Sequence, residues 1–475
     1  MNKLILSLVG MLFLSSTAQE KATISNSNYA PTNGVYLNPS LMVDSKAWLD
    51  INIVGAGAFA HNNYIYLPKS NLYTLLRNNN VTPLDNYNKI NKHAFGVANI
   101  QGPSLTLNIG EHAVGLNTTL RSFTNVNRVP YELAKFAFEG YDYNDLQNKN
   151  FSMKNGTIDH MTWGEIGLSY GKIIKKQNRD LIQVGGTVKR LYGIASAGFQ
   201  VDELNYIVPN DTVMNVSNFQ GSTYYAEPKF GAGKGWGLDL GVTYRKMKSD
   251  VTNYVPHSKY SGCEKKDYSY KIGVSLLDVG RINFQDNATR YDYTSGEGNI
   301  NQVADATFES ITDQTNSLVV DNGTLLNYTN YKQHLPTAIS VQADYNLGKH
   351  VYINGTLIQN VRQTHKTGVI RSNSLTLSAR YELKRFEVNL PVTLHQYRYP
   401  VVGIMVRYQN IIVGTDYLTP FLFKSNLYRG DIYFNIKLPF YTSPKCKDKD
   451  RRGSSSKRGK GSKGRNPSLR DCPTF

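Results

Sequence analysis

Charged side chains recur at alternate positions of segments in which polar and apolar residues alternate. Such residues share one face of a β-strand, because successive side chains point to opposite faces. Both signs of charge are present, so this face could line a polar channel or ligand cavity whose charges set selectivity. Alternatively, paired charges could simply fill an interior, since charges removed from bulk water are usually paired. The candidates are Arg121, Lys189, Asp239, Arg245, Lys271, Arg380, Glu382 and Glu387, with Glu165, Asp344 and Arg407 as further members.

No catalytic or metal-binding motif accompanies these charges. The nine histidines are scattered without metal-ligand spacing, and the sequence contains no Gly-x-Ser-x-Gly, His-Glu-x-x-His or P-loop motif. The glycine-rich run at 231–235 lacks the spacing and the following helix of a phosphate loop. A serine and a histidine meeting on a rim are the remaining catalytic alternative. We therefore expect no enzyme, no cofactor, no catalytic residue and no metal site.

The three cysteines permit one disulfide and one remaining thiol. A Cys446–Cys472 bond would close a loop near the C-terminus, and it is the pairing that we put first. Cys263 could instead tie the C-terminal segment to the rest of the chain, or all three thiols could stay free. Either disulfide requires an oxidising compartment.

The clearest β-hairpin of the sequence spans residues 374–395. Two arms of about ten residues, roughly enough to cross a bilayer when tilted, meet at Lys384-Arg385. Every second position is apolar, which predicts one apolar and one polar face. The apolar positions are Leu375, Leu377, Ala379, Tyr381, Leu383, Phe386, Val388, Leu390, Val392 and Leu394.

Similar alternation repeats along residues 47–440, with Asp278 breaking it near the end of one segment. Long connections are predicted at 61–94, 126–159, 194–233 and 281–335, and short ones at 110–112, 175–180, 348–349 and 384–385. Outer-membrane barrels show this asymmetry, with short periplasmic turns and long extracellular loops. We predict an all-β fold, a transmembrane antiparallel β-barrel of about 14 strands with both ends in the periplasm. The connection at 246–266 is the exception. It is long, although the alternation of connections along the chain places it on the periplasmic side.

The two ends of the chain differ from this central region. A positive start, a short apolar core and a small-residue cleavage site predict a signal peptide over residues 1–18. No other stretch has the roughly 18 apolar residues of a transmembrane helix. The predicted organisation is therefore a signal peptide (1–18), an N-terminal periplasmic or luminal segment (19–46), an outer-membrane barrel (47–440) and a basic C-terminal tail (441–475).

The C-terminal tail carries a large share of the net charge of +17. Residues 441–475 contain eleven Lys and Arg against three Asp, a local charge of +8. With almost no apolar residues, the tail is expected to be disordered on its own. It could be a solvated extension, or it could dock on anionic lipid head groups, a cell-wall polymer or an acidic periplasmic partner. Nucleic acid is not expected as a partner.

Several phrases of the sequence resemble FadL-like outer-membrane proteins, in particular an uncharacterised Bacteroidota branch. They are 33–39 (Asn-Gly-Val-Tyr-Leu-Asn-Pro), 102–104, 189–193, 237–241, 273–280 and 335–338, and together they extend over residues 30–440. The resemblance implies a fourteen-stranded barrel whose N-terminal segment enters the lumen. It does not carry over a fatty-acid site, because no ligand-contacting residues can be matched.

Two functions compete at this stage. The first is an outer-membrane barrel, exported by its signal peptide, that passes or binds a small or amphipathic solute among outer-membrane lipids. The alternative is a plugged barrel that serves as a membrane anchor and recruits cell-envelope or secretion machinery through its basic tail.

Overall fold

The computed structural model describes residues 22–77, 81–261, 263, 265–301, 308–318, 325–362 and 366–446. The predicted signal peptide, most of the basic tail and Cys472 lie outside these residues. Cleavage of the signal peptide, disorder of the tail and the tail's partners therefore stay predictions.

The described residues form strands along almost the whole chain. The strands are β1 (Leu49–Asn62), β2 (Ile65–Ser70), β3 (Leu84–Asp85), β4 (Lys92–Gln101), β5 (Ser104–Ile109), β6 (His112–Val129), β7 (Asn150–Gln177), β8 (Asp180–Ile207), β9 (Val213–Ala226), β10 (Gly233–Met247), β11 (Tyr268–Phe284), β12 (Ala288–Tyr293), β13 (Gly298–Asn301), β14 (Leu325–Tyr328), β15 (Tyr331–His334), β16 (Ala338–Gly348), β17 (Val351–Asn360), β18 (Ser374–Glu382), β19 (Phe386–His395), β20 (Tyr399–Val402), β21 (Ile404–Tyr408), β22 (Ile411–Thr415), β23 (Ser425–Leu427) and β24 (Arg429–Phe440).

Helices are few and short. They are α1 (Ala22–Ser25), α2 (Pro31–Gly34), α3 (Leu72–Arg77), α4 (Tyr131–Glu139), α5 (Phe308–Ser317) and α6 (Thr419–Leu422), with 3-10 turns at Pro39–Met42, Asn144–Leu146 and Lys259–Ser261. In the part of the chain that the structure describes, no helix combines the length and the apolar character needed to cross a membrane.

Twenty-one strands form one sheet that closes into a barrel, since β1 pairs with β24 on one side and with β4 and β5 on the other. All ladders between the strands are antiparallel, as predicted. Several of these segments continue the line of a preceding strand past a break. The closed barrel has sixteen strands, close to the predicted number of about fourteen. The remaining strands, β2, β3 and β23, form a small separate sheet.

The barrel wall is apolar outside and polar inside. On the β18–β19 hairpin, Leu377 and Leu390 are 57% and 50% exposed, whereas their polar neighbours such as Arg380 and Asn389 are buried. The same alternation continues on the other strands of the wall. An apolar outer face and a polar inner face are the arrangement of a barrel that spans a membrane. The two faces of the hairpin are therefore placed as the sequence predicted.

Three of the predicted long loops, at 126–159, 194–233 and 281–335, are wrong in part, and the last of them contains β12, β13, β14 and β15 of the barrel sheet. β7 and β8 contain 28 residues each and pair along almost their full length, although about 10 residues suffice to cross a bilayer. The barrel therefore continues well beyond the membrane through much of 126–159 and 194–233. A hydrophobic cluster that includes Phe136, Tyr206 and Phe219 stabilises this extension. The helix α4 (Tyr131–Glu139) lies within it.

Residues 22–47 fold into the barrel as a plug, a term that we use for this segment throughout. From residue 23 to residue 47 all side chains are buried except those of Tyr29, Tyr36 and Lys46, which are half-buried. The plug consists of α1, α2 and the 3-10 turn at Pro39–Met42, and it contacts strands from many parts of the wall. It leads directly into β1, so the plug and the wall are one continuous chain.

Candidate functional site

The first charge cluster of the lumen is centred on Arg380, which is only 1% exposed. Its Nη2 lies 2.9 Å from Asp344 Oδ2 and its Nε 2.9 Å from Glu382 Oε2. Lys271 Nζ lies 3.2 Å from the same Asp344 oxygen, and Glu387, on the other arm of the hairpin, accepts from Arg407 Nε at 2.9 Å. The alternation of β18 and β19 places these residues on the inner face.

This cluster holds the start of the plug. Arg380 Nη1 donates to the carbonyl oxygen of Asn26 at 2.7 Å, and Ser27 Oγ donates to Glu387 Oε2 at 2.7 Å. The Asn28 amide nitrogens of backbone and side chain donate to the two Glu382 oxygens at 3.2 and 2.9 Å. The wall charges are therefore paired both with one another and with plug atoms.

A second charge cluster lies around Asp278, which the sequence analysis did not select. Arg121 donates through both terminal nitrogens to the two Asp278 oxygens at 2.9 Å each, and Lys189 Nζ donates at 2.6 Å. Lys189 also contacts Asp239 Oδ2 at 2.7 Å. Arg371, from the connection between β17 and β18, contacts the Asp278 carboxylate. This connection therefore enters the lumen from the end opposite to the short turns at 348–349 and 384–385.

The backbone explains why Asp278 escaped notice. Asp278 has a φ of +53°, and the pairing of β10 with β11 shifts register between Leu238 and Leu240, beside it. A bulge of this kind turns a side chain that would otherwise face outward. The break in alternation at Asp278 was the available signal. Arg371 has no such signal, because it belongs to no alternating segment.

Further wall charges hold the middle and the end of the plug. Arg245 Nη1 lies 3.1 Å from Asp44 Oδ2, and Arg245 Nη2 donates to the Val43 carbonyl at 3.2 Å. Lys437 Nζ lies 2.7 Å from Asp50 Oδ2, and Thr32 Oγ1 donates to the same oxygen at 2.7 Å. All eight predicted charged candidates are thus buried inside the barrel.

The 3-10 turn of the plug sits on a row of glycines in the wall. Gly171, Gly185 and Gly241 face one another across β7, β8 and β10. A Cβ at Gly185 would lie 2.6 Å from Ser40 N, so only glycine permits this close approach. Ser40 Oγ is 2.7 Å from Thr243 Oγ1, which fixes the turn against β10.

The long connection between β10 and β11 closes over the plug at the other end. We call residues 248–267 the clasp. Tyr254 OH donates to Asp44 Oδ1 at 2.8 Å, and His257 Nε2 donates to the Ser45 carbonyl at 3.0 Å. Lys265 Nζ donates to the carbonyl oxygens of Lys46 and Tyr441. The unusual length of this connection is explained by these contacts with the plug.

The disulfide differs from the pairing that we put first. Cys446 bonds to Cys263 of the clasp rather than to Cys472. The reason is proximity: Ser443 Oγ donates to the His257 carbonyl at 3.0 Å, so the chain leaving β24 already lies on the clasp. The sequence allowed this pairing, but spacing along the chain could not decide between the two.

Burial shifts two titrations in the clasp. The pKa of His257 is lowered to about 4, first by burial and then by the nearby Lys265 charge. The pKa of Lys265 is lowered to about 8 by burial and by the charges of Lys46 and Lys384. Both shifts favour the neutral form of a group that touches the plug.

The histidines are less scattered in space than in sequence. The ring of His61 lies 5.5 Å from that of His93 and 6.3 Å from that of His395, near the end of the lumen opposite to the clasp. Even so, no three His, Cys, Asp or Glu side chains among the described residues are arranged to hold a metal ion.

A closed barrel with an apolar exterior, a charged interior and a plug defines this chain as a membrane-spanning β-barrel protein. A family model covers residues 39–416, which is most of the barrel. The chain belongs to this family, the family of unknown function DUF5723. No curated protein matches the chain in sequence.

The chain is also similar to solved FadL-type barrels. The toluene transporter TbuX of Ralstonia pickettii is 9% identical, with a TM-score of 0.43 and with 87% of this chain and 94% of TbuX covered. The corresponding values for the Pseudomonas putida toluene transporter TodX are 8%, 0.41, 89% and 95%. For a Pseudomonas aeruginosa FadL homologue they are 10%, 0.31, 89% and 97%. The resemblance of the sequence to FadL-like barrels is therefore matched by similarity in structure.

Proposed function

We propose that this protein is a Gram-negative outer-membrane barrel, without enzymatic activity, that passes a small or amphipathic solute when its plug shifts. The observation that carries the proposal is the nature of the contacts between plug and wall. Many of them are polar, such as the hydrogen bonds from Arg380 to Asn26 and from Ser27 to Glu387. They stand beside a smaller set of apolar contacts, made by plug side chains such as Leu37. Water can replace such bonds at small net cost, because an intramolecular hydrogen bond contributes only about 1 kcal/mol net.

The luminal charges suggest which part of a solute they would meet. A displaced plug would expose Arg245, Lys271, Arg380, Glu382 and Glu387 to the lumen, since each of them contacts the plug or a group that does. Such a route favours a solute with a polar or charged group. The polar head of an amphipathic molecule could contact these charges. Its apolar part could contact the aromatic residues of the barrel extension. The names of TbuX and TodX make a small aromatic compound a reasonable second probe.

A reversible lock on the plug tests the proposal. Ser40→Cys with Thr243→Cys would join plug to wall, where the two hydroxyl oxygens are 2.7 Å apart. Thr376→Cys with Thr393→Cys is the matched control, because these hydroxyls lie 2.9 Å apart within the wall. Uptake of a radiolabelled short fatty acid and a monoaromatic hydrocarbon would be measured in Gram-negative host cells, before and after mild oxidation and then reduction.

We expect that oxidation lowers the uptake of cells with the plug lock to that of cells without the barrel, and that reduction restores it. The wall control and the wild type should keep their uptake throughout. Unchanged uptake in the fully cross-linked plug lock would show that the plug does not gate the route. If even the wild type adds no uptake, solute passage fails as a function and the membrane-anchor alternative gains support.

A further inference from the structure

The outer surface of the wall carries a group of cations that the lumen does not explain. They lie on β8, β10, β11 and β15 in two neighbouring rows. In one row Arg190 pairs with Trp236, which pairs with Arg281. In the next row Lys234 pairs with Asn283, which pairs with Lys332. We call Arg190, Lys234, Arg281 and Lys332 the outer cationic patch.

These side chains point away from the lumen. Lys234, Arg281 and Lys332 are exposed and Arg190 is half-exposed, whereas the residues that alternate with them, such as Lys189 and Ile282, are buried. Cations two strands apart, such as Arg190 and Arg281, are separated by about 10 Å at the backbone. Long Lys and Arg side chains can converge over that distance on one or two anionic groups.

The patch lies directly at the edge of the apolar band. The row below it consists of Val188, Leu238 and Val279, paired across the same strands, with Val188 52% and Val279 38% exposed. Trp236 is 60% exposed at the level of the patch. Aromatic residues mark the interface between the hydrocarbon region and the head groups. The four cations are therefore at head-group level, on the side opposite to the periplasmic turns.

The charge of the patch is not neutralised by the protein. None of the four cations lies within 4.0 Å of a carboxylate among the described residues, although the nearby Lys229 is paired with Asp286 at 3.1 Å. Instead, the guanidinium of Arg190 lies 4.9 Å from the Trp236 ring, which orients it along the wall. Four like charges in one small area repel one another unless an anion binds there.

We propose that the outer cationic patch binds the phosphate groups of a phosphorylated glycolipid in the outer leaflet of the membrane. The inference rests on the proposed outer-membrane placement of the barrel, but not on solute passage. Arg and Lys are suited to phosphate because both donate charge-assisted hydrogen bonds to its oxygens. The apolar row below the patch would contact the acyl chains of the same lipid.

The test compares two sets of neutralised variants of the full chain in detergent. Arg190→Gln, Lys234→Gln, Arg281→Gln and Lys332→Gln are combined in one variant. The control combines Lys172→Gln, Lys175→Gln, Lys248→Gln and Lys349→Gln, exposed residues at or near the periplasmic turns, with the same change in net charge. Native mass spectrometry and fluorescence titration would measure binding of diphosphorylated lipid A, of its dephosphorylated form and of inorganic phosphate.

We expect diphosphorylated lipid A to bind the wild type and the control with equal affinity. Its affinity for the patch variant should be lower by a factor of about ten or more. Dephosphorylated lipid should bind weakly to all three. Equal binding to the patch variant and the control, or equal binding of the dephosphorylated lipid, would overturn the proposal. Inorganic phosphate binding as tightly as the lipid would also overturn it, because the site would then serve free phosphate. None of these readouts involves solute uptake, so failure of transport and failure of lipid binding can be told apart.

Discussion

Acidification should loosen the clasp through His257. This side chain is 8% exposed and donates to the Ser45 carbonyl from Nε2 at 3.0 Å. Its pKa is about 4 in the closed clasp, against about 6.5 for a solvated histidine. A histidine buried in the neutral form favours the closed state above pH 6.5. That contribution is lost progressively as the pH falls from 6.5 towards 4, because the open state takes up a proton that the closed state excludes.

The size of the effect follows from these two pKa values. Between pH 7 and pH 5 the equilibrium constant for opening should rise about 20-fold, or about 1.8 kcal/mol. Lys265 contributes little in this interval, because its pKa of about 8 lies above it. Asp44 also titrates near the clasp, since burial raises the pKa of its carboxyl group. A variant without the imidazole is therefore needed to isolate the histidine.

Hydrogen exchange can measure this opening directly. The Lys46 amide donates to the Asn28 carbonyl at 2.9 Å and is protected only while the end of the plug is held. Exchange of peptides covering residues 44–48 would be compared at pH 7 and pH 5 after correction for intrinsic rates, in the wild type and in His257→Asn. Between pH 7 and pH 5, the equilibrium constant for opening should rise about 20-fold more in the wild type than in His257→Asn. An identical pH change in both proteins would refute the assignment to His257.

Three further predictions concern the lumen and the clasp. Asp278→Asn should lower the free energy of unfolding by about 3–5 kcal/mol, because the carboxylate that three buried cations share loses its charge. Urea titration in detergent would show it, and Asp286→Asn, in an exposed pair, should change the free energy by less than about 1 kcal/mol. Replacing both Cys263 and Cys446 by serine should cost about 2–5 kcal/mol in the same assay, since the disulfide joins residues 183 positions apart, and an unchanged midpoint would contradict its structural role. Asn38→Ala removes the hydrogen bond from Ser40 N to the Asn38 side chain, at 3.0 Å. It should lower the free energy of opening of residues 35–43 by about 0.5–2 kcal/mol and so speed up their hydrogen exchange. Unaltered exchange would argue against this anchor.

The barrel could be predicted because its wall obeys a simple rule. One face of each strand meets an apolar environment and the other a polar one, so the period of two in the hairpin at 374–395 directly reports the two faces. Arg380, Glu382 and Glu387 followed from that period. Asp278 did not, because a local bulge turns it inward and the alternation alone assigns it to the other face.

Other features depend on contacts that are distant in sequence. The bond between Cys263 and Cys446 depends on where the clasp folds, and the three histidines at the far end of the lumen come from separate strands. The strand extension through 194–233 was mistaken for a loop, because its residues pack on a local hydrophobic cluster and lack a lipid-facing pattern. The position of the plug was an expectation from family resemblance. Its contacts with the wall became visible only in the structure.

Conductance of single barrels in planar bilayers tests most directly whether the plug closes the lumen. Two adjacent glycines provide a matched pair of variants: a Cβ at Gly185 would lie 2.6 Å from Ser40 N of the plug, whereas a Cβ at Gly186 would lie 3.4 Å from Leu240 Cδ2 on the outer face. We predict that the wild type and Gly186→Ala stay mostly closed, while Gly185→Ala displaces the plug and opens in frequent discrete steps. The same closed level in all three proteins, with Gly185→Ala folded and inserted, would contradict the claim that the plug closes the lumen.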